Sequence, residues 1–570
     1  MRPFVFKIGG EAGFGIMSAG LTFSKIATRS GYSVFNYSEY PSLIRGGHNL
    51  MQVTISKAVA RAPYQHTDFL VALNQETIDR HQSELAPASG IVFDSDKNLD
   101  LKGLRSGINK FSLPLNQIAR EVGGSLLMRN TVALGASVAL LGGDLAILKQ
   151  LISEEFAKKS EQIVAENHKT AEAGYKAALT KYKKFVRPVL KPLSKVKPQI
   201  VLTGNDAVAL GAIAAGMQFA SIYPMTPTSN ILAILAAYQE EFGYIYKQPE
   251  DEISAINMAI GAAYAGARAM TATAGGGFCL MTEGYGLSGI TETPLVIIEG
   301  MRPGPATGLP TWTEQGDLQF VLRAHQSDFP RIVLAPGDIQ ECFEMTRQAF
   351  NLAEKYQTPV VVMIDKHLCE GFTSLAPFIG KDFQIERGKL VLKKQANYER
   401  YALARDGISL RSIPGLGNNV IANSDEHDTR GYSNEEIENR NSQMEKRMQK
   451  LVTCAREDMP APKFYGHKDA AITIVSWGSN KGAILEALPN LKDVNFLQLD
   501  WLNPFPAQAV AKILGRARQI LNIECNYSGQ MRGWIAEQTG IKINHSFLKY
   551  DGRPMYPEEV VREVKKVLKR

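Results

Sequence analysis

The stretch S-I-Y-P-M-T-P-T-S-N at residues 221–230 predicts a strand that ends in a rigid turn. It continues a largely apolar segment that begins at residue 218. Because Pro224 and Pro227 lack amide donors and fix φ around Thr226, neither a strand nor a helix continues through this point. Thr226 is therefore presented on a stiff turn at the end of a strand.

A helix is predicted directly after this turn. Thr228 and Ser229 are good N-cap residues, and apolar side chains recur at helical spacing over 231–238. A strand, a stiff turn and a helix N-terminus in succession are typical of a ligand-binding edge of an α/β sheet. A plain strand-to-helix loop explains the stretch equally well, so its function depends on what the rest of the chain places beside it.

The composition is that of a large α/β protein with several domains. The chain has 570 residues, of which 45% are hydrophobic and 21% charged. This length predicts roughly three to four domains. The net charge of +7 is spread along the chain without a basic block, so nucleic acid is not expected as a partner.

The cysteines and the apolar runs indicate a cytoplasmic protein. The chain has five scattered cysteines and no C-x-x-C pair, so we expect no disulfide framework and no metal bound by this chain. The N-terminus lacks a signal-peptide pattern, and no apolar run is long enough to span a membrane. We therefore expect neither a membrane anchor nor an oxidising compartment.

A glycine-rich turn follows the first predicted strand, at 4–8. It reads G-G-E-A-G-F-G over 9–15 and precedes a helical pattern. Such a turn exposes amide groups at a helix N-terminus, which suits a phosphate. The spacing differs from the dinucleotide-binding pattern, and no acidic residue is placed to hold a ribose. Close packing of the helix on the strand therefore explains the glycines at least as well.

Arg45 stands in the loop P-S-L-I-R-G-G, between predicted strands at 34–37 and 50–55. Its guanidinium and the glycines after it favour a phosphate or carboxylate ligand, although a surface arginine is the simpler interpretation. The remaining elements expected in this first, alternating βα domain are strands at 69–73 and 91–93 and helices at 132–141 and 147–178. A basic, proline-bearing linker follows at 181–197.

Glu252 is the last charged residue before a run of small apolar residues in a predicted helix at 248–267. A helix so apolar on most faces is expected to be buried between neighbours. Burial would raise the pKa of Glu252 and favour a shared proton. The alternative is that first-turn acids simply complement the helix dipole, which suits Glu250 and Asp251 better.

Arg302 is predicted at the carboxyl end of a parallel strand. A strand opening the second domain at Ile200 is followed by the turn of Thr226, by a strand, triple-glycine loop and helix over 271–284, and by a strand at 294–298. The loop R-P-G-P-A-T-G then begins at Arg302, where open α/β sheets bind ligands. Strands at 332–334 and 359–364 and a helix at 338–354 complete this sheet.

Residues 375–460 differ in composition and predict a covering or interface arm. They are rich in Arg, Asn, Asp and Glu. Ser433 and Glu436 have capping-box spacing, and an apolar stripe follows at Ile437, Met444, Met448 and Leu451. Strands at 471–476, 496–499 and 519–524 and a helix at 557–569 then predict a smaller doubly wound domain.

Several of these motifs together resemble one family, the 2-oxoacid:ferredoxin oxidoreductases. The segments that carry the resemblance are G-G-E-A-G-F-G, P-S-L-I-R-G-G, Y-P-M-T-P-T-S, E-D-E-I-S-A-I-N-M-A-I-G-A, R-P-G-P-A-T-G-L-P-T and I-E-C-N-Y-S-G-Q. The resemblance is to an α chain with a γ-type domain fused in front, and most of all to the 2-oxoglutarate enzymes.

The resemblance implies an α/β fold with three doubly wound domains. It divides the chain into a γ-type, coenzyme A-associated domain at 1–190, a thiamine-pyrimidine-binding domain at 191–375, the charged arm at 376–465 and a transketolase-C-terminal-like domain at 466–570. It also implies an enzyme that oxidatively decarboxylates a 2-oxoacid with coenzyme A and reduces ferredoxin, reversibly. Pyruvate or branched-chain 2-oxoacids, or a non-catalytic coenzyme A- or nucleotide-binding scaffold, are the alternatives.

The family roles transfer to matching positions of this chain. Thr226 would hydrogen-bond the 2-oxoacid, Glu252 would contact N1′ of the thiamine aminopyrimidine, and Arg302 would hold the substrate carboxylate. Tyr223 and Pro224 of the same Y-P-M-T-P motif would line the cofactor. One departure from the family pattern is A-G-G-G-F over 274–278, where the family often has S-G-P-G-F.

The coenzyme A site would involve the first domain. The resemblance implies contacts from Arg45 and from the glycine-rich turn, at Gly9, Gly10, Gly13 and Gly15.

A second chain is implied by what this sequence lacks. It has no G-D-G motif for Mg²⁺ and thiamine pyrophosphate, and no cysteine set for a cluster. In the family a β subunit supplies the pyrophosphate site and the [4Fe-4S] cluster. We therefore expect a β subunit and ferredoxin as partners, in a dimer of αβ heterodimers with the cofactor between the chains.

Overall fold

The computed structural model describes residues 2–42, 46–378 and 383–569. The chain divides into two compact units. The first unit holds Met1–Leu202, Gly371–Phe378 and Tyr556–Glu559, and the second holds Thr203–Glu370, Ile379–Met555 and Val560–Arg570. The domain boundaries expected from the sequence, at 190, 375 and 465, stay predictions.

The strands and helices alternate along much of the chain. The strands are β1 (Phe4–Glu11), β2 (Ser33–Glu39), β3 (His48–Ser56), β4 (Thr67–Ala72), β5 (Leu85–Asp94), β6 (Asn109–Leu113), β7 (Ile200–Leu202), β8 (Phe219–Ser221), β9 (Ile245–Lys247), β10 (Ala269–Ala274), β11 (Leu295–Met301), β12 (Ile332–Leu334), β13 (Pro359–Asp365), β14 (Phe372–Leu375), β15 (Lys463–Tyr465), β16 (Ile472–Trp477), β17 (Val494–Leu499), β18 (Trp501–Asn503), β19 (Gln519–Glu524) and β20 (His545–Leu548). The helices are α1 (Ile16–Arg29), α2 (Gln75–His81), α3 (Leu115–Glu121), α4 (Arg129–Leu140), α5 (Leu145–Glu155), α6 (Glu161–Tyr182), α7 (Gly204–Ala214), α8 (Ser229–Phe242), α9 (Glu252–Tyr264), α10 (Gly275–Ile290), α11 (Leu318–Arg323), α12 (Ile339–Tyr356), α13 (Lys366–Glu370), α14 (Ile437–Glu457), α15 (Asn480–Ala487), α16 (Ala507–Leu514), α17 (Gln530–Thr539) and α18 (Pro557–Leu568).

The first unit is built on an eight-stranded mixed sheet in the order β6-β5-β4-β1-β3-β2-β14-β7. The strands β1, β4, β5 and β6 are parallel, whereas β3 is antiparallel to both β1 and β2. The strand at Ile200, expected to open the second domain, joins the edge of this sheet. It pairs with β14, which the sequence also assigned to the second domain. Short edge strands pair with strands from distant parts of the chain through tertiary packing. Local sequence periodicity does not predict such pairing.

Helices α4 and α6 cross in direct backbone contact. A Cβ on Gly135 would lie 2.0 Å from the Ala171 carbonyl oxygen, and one on Gly174 would lie 2.2 Å from that of Val132. Both positions therefore require glycine. The single helix predicted over 147–178 is instead two helices, α5 and α6. The break occurs because the Ser160 side chain accepts a hydrogen bond from the Ile163 amide and caps α6.

The second unit contains two sheets. The seven-stranded sheet has the order β18-β12-β13-β11-β10-β8-β9, and all of its neighbours are parallel except β18 and β12. The five-stranded sheet has the order β15-β17-β16-β19-β20, with only β15 antiparallel to its neighbour. In such parallel sheets the carboxyl ends of the strands lie at one edge, which brings together the loops after β8, β10 and β11.

The predicted capping box and apolar stripe of helix α14 are both wrong. The helix begins at Ile437 after Glu436 without a side-chain cap, because the Ser433 hydroxyl donates to Asp425 instead. Ile437 is exposed, and the buried face carries Gln443, Lys446, Arg447 and Lys450. This inversion of polarity is stable because carboxylates pair with the cations: the buried Glu292 contacts Lys446 and Lys450, and the partly buried Glu426 contacts Arg447.

No helix within the described ranges is long and apolar enough to cross a membrane.

Candidate active site

The turn after β8 presents Thr226 as the sequence predicts. The loop carries Tyr223, which is partly exposed, and Pro224, which is exposed, before it reaches Thr226. The Asn205 side chain donates a hydrogen bond to the Pro227 carbonyl oxygen over 2.8 Å, which fixes the position of the loop. Gly300 of β11 packs against it, since a Cβ there would lie 2.5 Å from Thr228 Cγ2.

The expected capping role of Thr228 is wrong. Its hydroxyl donates to the Met225 carbonyl over 2.9 Å, and no side chain caps α8. Thr228 therefore fixes the turn that carries Thr226 and does not cap the following helix.

Arg302 follows β11 and reaches back to this turn. Its Nη1 donates to the Thr226 carbonyl oxygen over 2.7 Å. Burial lowers the pKa of Arg302, and the nearby Asp317 carboxyl opposes that shift. In the part of the chain that the structure describes, Arg302 forms no ion pair and the Thr226 hydroxyl has no hydrogen-bond partner. A guanidinium has five N–H donors, so most of them remain available to an anionic ligand.

Glu252 begins helix α9 and is buried, with 3% of its surface exposed. Asp251 precedes it and caps the helix by accepting a hydrogen bond from the Ser254 amide over 2.7 Å. The Glu252 Oε1 atom is buried without a partner among the described residues. A buried carboxylate oxygen without a donor is costly, which is the pattern expected of an atom that meets a ligand.

The sequence predicts a loop at the triple glycine, but these residues form the first turn of α10. The helix begins at Gly275 after Ala274, without a side-chain cap. A Cβ on Gly277 would lie 2.6 Å from Glu252 Oε1 and 2.1 Å from Thr273 Oγ1, so glycine is what lets Glu252 lie against the helix. The uncapped first-turn amides of α10 add partial positive charge beside it.

Helix α9 is less buried than expected. Ile253 and Met258 are 48% and 43% exposed, and Leu280 on the neighbouring helix α10 is 50% exposed. The small residues of α9 pack inward at Ala255, Ala259 and Ala263. The expectation of burial on most faces fails because the second unit leaves one face of these two helices open. Exposed apolar side chains on adjacent helices are typical of a protein interface.

An acidic group that the sequence pattern does not predict lies near Arg302. Glu299 of β11 is fully buried, and burial, followed by the neighbouring carboxyl of Asp317, raises the pKa of Glu299 well above its usual range. Asp317 also lies against the start of α10, where a Cβ on Gly275 would be 2.5 Å from its Oδ2. A charged residue in the buried strand L-V-I-I-E-G-M was the available signal for Glu299, whereas nothing in the pattern indicates Asp317 as its neighbour.

The structure therefore brings Thr226 and Arg302 into direct contact. Glu252 is linked to them through α10: Gly277 contacts Glu252, and Gly275 contacts Asp317. No hydrogen bond between Glu252 and either Thr226 or Arg302 occurs in the described part of the second unit. The arrangement provides a cation and a hydroxyl for an anionic ligand, and a buried carboxylate oxygen for a separate N–H donor.

The glycine-rich segment of the first unit is split between two roles. Gly9 and Gly10 lie within β1, not in a turn, and Cβ atoms there would lie 2.7 Å from Thr77 Cγ2 and 2.9 Å from Ile16 Cδ1. Packing thus accounts for both. Gly13 and Gly15 have φ of +90° and +72°, and no heavy atom lies within 4 Å of a Cβ on Gly13. Arg45 lies outside the described residues.

A thiamine aminopyrimidine fits the surroundings of Glu252. The aminopyrimidine needs a carboxylate at its ring nitrogen, and Oε1 of Glu252 is buried without a donor. The absence of a side chain at Gly277 is what lets this atom lie against α10. Within the described ranges no group of His, Cys, Asp and Glu side chains is arranged to hold a metal ion.

Two family profiles match this chain. Residues 210–447 match the profile described as pyruvate flavodoxin/ferredoxin oxidoreductase, thiamine diphosphate-binding, and residues 5–177 match pyruvate ferredoxin/flavodoxin oxidoreductase. The α subunit of a 2-oxoacid:ferredoxin oxidoreductase from a Sulfolobus species is 33% identical over 99% of this chain and 96% of its own length. The chain belongs to the 2-oxoacid:ferredoxin oxidoreductase α subunits.

Other relatives of this α subunit agree. The 2-oxoglutarate synthase subunit KorA of Methanothermobacter thermautotrophicus is 32% identical over 64% of this chain and 98% of its own length. A solved structure of the 2-oxoglutarate:ferredoxin oxidoreductase from Magnetococcus marinus, with 2-oxoglutarate, coenzyme A and succinyl-CoA bound, superposes with a TM-score of 0.94. That chain is 32% identical, with 99% of both chains covered.

These findings confirm the family predicted from the sequence and the α/β fold class. The protein is a subunit of an oxidoreductase, and other subunits are implied by the names of its relatives. The individual residue roles carried over from the family stay predictions.

Proposed function

We propose that this chain is the α subunit of a 2-oxoglutarate:ferredoxin oxidoreductase. With a β subunit it converts 2-oxoglutarate and coenzyme A into succinyl-CoA and CO₂, and the electrons pass to ferredoxin; the reaction is reversible. The observation that carries the proposal is the unpartnered, buried Oε1 of Glu252, which lies against Gly277 at the start of α10.

Glu252 is the residue that acts on the cofactor. When bound, thiamine pyrophosphate supplies the carbanion chemistry that decarboxylation of a 2-oxoacid requires. The Glu252 carboxylate holds a proton at N1′ of the aminopyrimidine. Its burial strengthens this hydrogen bond, because the surrounding medium screens charge less than water does. Tyr223 and Pro224 line the same side of the site.

Arg302 and Thr226 bind the substrate. The guanidinium orients the substrate carboxylate through paired N–H donors, while its bond to the Thr226 carbonyl fixes its own direction. The free Thr226 hydroxyl donates to the 2-oxo group. Thr226 lies on a loop that Asn205 and Gly300 brace, and Arg302 is hydrogen-bonded to that loop, so the donors are in position before the substrate arrives.

The substrate assignment rests on likeness over the whole chain. The solved structure of the Magnetococcus marinus enzyme has 2-oxoglutarate bound, and its similarity to this protein covers 99% of both chains. The Sulfolobus relative is named only for 2-oxoacids, so pyruvate or branched-chain 2-oxoacids are the alternatives to be tested.

The β subunit completes the active site. We place Mg²⁺, the pyrophosphate site and a [4Fe-4S] cluster on that subunit, because this chain lacks the motifs for them. The exposed apolar side chains of Ile253, Met258 and Leu280 support a protein interface next to Glu252. The assembly is a dimer of αβ heterodimers that delivers electrons to ferredoxin.

The remaining assignments concern the domains and coenzyme A. We assign the γ-type domain to 1–190, the pyrimidine-binding domain to 191–375, the arm to 376–465 and the transketolase-C-terminal-like domain to 466–570. Coenzyme A binds with help from Arg45 and from the turn of Gly13 and Gly15, where both φ values are positive and the open surroundings of Gly13 leave room for a phosphate.

Co-expression with the β subunit tests the proposal. Viologen reduction would be measured with 2-oxoglutarate, pyruvate and 2-oxoisovalerate, each with and without coenzyme A. We expect the highest kcat/KM for 2-oxoglutarate, and turnover that depends on coenzyme A. A preference for another 2-oxoacid would refute the substrate assignment, and no reduction with any of them would refute the enzyme assignment.

A further inference from the structure

Arg129 is a buried cation without a bonded partner in the first unit. It begins helix α4 and is 8% exposed. Its Nε atom is buried without a hydrogen-bond acceptor, and in the part of the chain that the structure describes its guanidinium forms no ion pair. A buried charge that bonds to nothing is costly, so such a group points to an anionic ligand.

The Arg129 guanidinium lies against the glycine-rich turn. Its Cζ atom is 5.2 Å from the centre of the Phe14 ring, and Phe14 stands between Gly13 and Gly15. The adjacent Asn130 side chain donates a hydrogen bond to the Phe14 carbonyl oxygen, so the start of α4 is bonded to this turn. Contact with one aromatic ring replaces only part of the hydration that a buried guanidinium loses. The ring therefore positions the cation without satisfying its N–H donors.

Two helices begin beside Arg129 without a side-chain cap. They are α1, which follows Gly15, and α4, which follows Met128. Uncapped first-turn amides carry partial positive charge and donate to anions. Gly13 and Gly15 are exposed and both have positive φ, a backbone shape in which successive amides face one anion. The turn and the two helix starts therefore form a place for a phosphate, with Arg129 at its side.

Three other charged groups lie near enough to act on Arg129 or to be acted on by it. Glu11 ends β1, Asp94 ends β5 and Lys97 follows β5. Burial lowers the pKa of Arg129, and the charges of Asp94 and Glu11 oppose that shift without pairing with it. Asp94 instead accepts a hydrogen bond from the Leu115 amide over 3.1 Å. The N–H donors of Arg129 therefore stay available to a ligand.

We propose that Arg129 is a further coenzyme A-binding residue, whose guanidinium binds a phosphate group of coenzyme A together with the amides of the turn at residues 13–15. The inference rests on the proposed function, in which coenzyme A meets this turn. Coenzyme A carries a diphosphate and a 3′-phosphate, and the planar fork of a guanidinium binds a phosphate through two parallel N–H bonds.

The first experiment measures coenzyme A binding to the αβ complex by calorimetry. For Arg129→Gln we expect the Kd to rise at least about tenfold, because charged hydrogen bonds to a phosphate are lost. Arg120→Gln is the matched control, since it removes the same charge from an exposed position on α3 of the same unit. Its Kd should stay within about twofold of the wild type. Equal Kd values for the two variants would overturn the proposal.

Dephospho-coenzyme A and inorganic phosphate identify which phosphate is bound. If Arg129→Gln weakens the binding of coenzyme A and of dephospho-coenzyme A alike, Arg129 meets the diphosphate. If it weakens coenzyme A alone, Arg129 meets the 3′-phosphate, and either result supports the proposal. Weaker binding of inorganic phosphate with unchanged binding of coenzyme A would assign the site to another phosphate and refute the proposal.

Thermal unfolding separates ligand binding from a structural role. Because Arg129 is buried without a partner, we expect ligand-free Arg129→Gln to unfold at or above the wild-type temperature. Added coenzyme A should raise the unfolding temperature of this variant less than that of the wild type. A lower unfolding temperature, with the full wild-type gain from coenzyme A, would show that Arg129 stabilises the fold and does not bind the ligand.

Hydrogen exchange in the wild-type complex does not depend on any variant folding. We expect coenzyme A to slow amide exchange at residues 13–18 and 129–132 at least about fivefold. Unchanged exchange at both segments, in a complex that binds coenzyme A, would contradict the inference. A wild-type complex that binds no coenzyme A would instead refute its role in the proposed function, so the two failures are distinguishable.

Discussion

The guanidinium of Arg302 donates a hydrogen bond to the backbone carbonyl of Thr226 over 2.7 Å, so the loops after β8 and β11 are joined at the site. This bond uses the Thr226 backbone and leaves its hydroxyl free. It also uses one of several donors on Arg302. The two side chains can therefore act together on one ligand, with the guanidinium on a carboxylate and the hydroxyl on a neighbouring oxygen.

Arg302→Lys tests the guanidinium. Lysine keeps the charge but loses the planar pair of donors and the bond to the Thr226 carbonyl. We expect the KM for the 2-oxoacid to rise by about tenfold to a hundredfold, since bidentate charged hydrogen bonds are worth roughly 1.5–3 kcal/mol. Steady-state kinetics with the β subunit measure this effect. The control is Arg323→Lys, whose guanidinium is half exposed and pairs with Glu537; similar KM changes in both variants would contradict the assignment.

Gly277→Ala tests whether Glu252 needs the space that Gly277 leaves beside its carboxylate. The added methyl would lie 2.6 Å from Glu252 Oε1 and 2.1 Å from Thr273 Oγ1, so it must displace the carboxylate. We expect thiamine pyrophosphate affinity and kcat to fall by at least about tenfold, because a small misplacement of a catalytic group is costly.

Gly276→Ala is the matched control for that substitution. It lies in the same helical turn, and the nearest atom to its Cβ would be the Ala306 carbonyl oxygen at 3.8 Å. We expect near-normal cofactor affinity. Loss of affinity in both variants would show that the helix start, and not the space beside Glu252, is responsible.

Glu292 should make the second unit sensitive to acid. It is fully buried, with Lys446 Nζ and Lys450 Nζ each 2.6 Å from one of its oxygens. Burial opposes its ionisation, but these cations hold the pKa of Glu292 well below its usual range. A lowered folded-state pKa adds stability above the unfolded pKa, about 4.5, and this stability is lost as the pH falls through the folded value.

Glu292→Gln is expected to lower the free energy of unfolding by about 3–5 kcal/mol near neutral pH, because two buried lysines lose their counterion. It should also flatten the pH dependence below about 4.5. Urea unfolding followed across pH measures both effects. Glu537→Gln removes an exposed ion pair and should change little; comparable losses in the two variants would show that the buried cluster contributes no more than a surface pair.

Met258→Glu tests the interface with the β subunit. The side chain is 43% exposed on α9, next to the site of Glu252. A charge at the centre of an apolar interface should weaken association at least about tenfold while the chain stays folded. Val452→Glu, at a side chain 58% exposed on α14, is the control. Co-purification of the two chains is the measurement, and an intact complex with Met258→Glu would place the interface elsewhere.

The site residues could be predicted where one short stretch of sequence determines its own local structure. The prolines around Thr226 require a turn, and the strand before Arg302 ends at the binding edge of the sheet. Glu252 was identified because one acid precedes a run of small apolar residues. In each case local rules and the fold agree.

The features that sequence reasoning missed depend on contacts between distant segments. Asp317, for example, lies against the start of α10, where a Cβ on Gly275 would be 2.5 Å from its Oδ2. The triple glycine looked like a loop because glycine disfavours helices, yet Glu252 and Thr273 leave no room for side chains at Gly277. The apolar stripe predicted for α14 does not include its buried lysines, because their partner, Glu292, is remote in sequence.

The most direct test of the account is ferredoxin reduction by the αβ complex carrying Glu252→Gln. Glutamine keeps the shape of Glu252 but cannot hold the proton at the aminopyrimidine. We predict a fall in 2-oxoglutarate-dependent reduction of about a hundredfold or more, with near-normal rates for Glu250→Gln, an exposed neighbour outside the helix. A near-normal rate with Glu252→Gln would contradict the central claim that this chain supplies the carboxylate that activates thiamine.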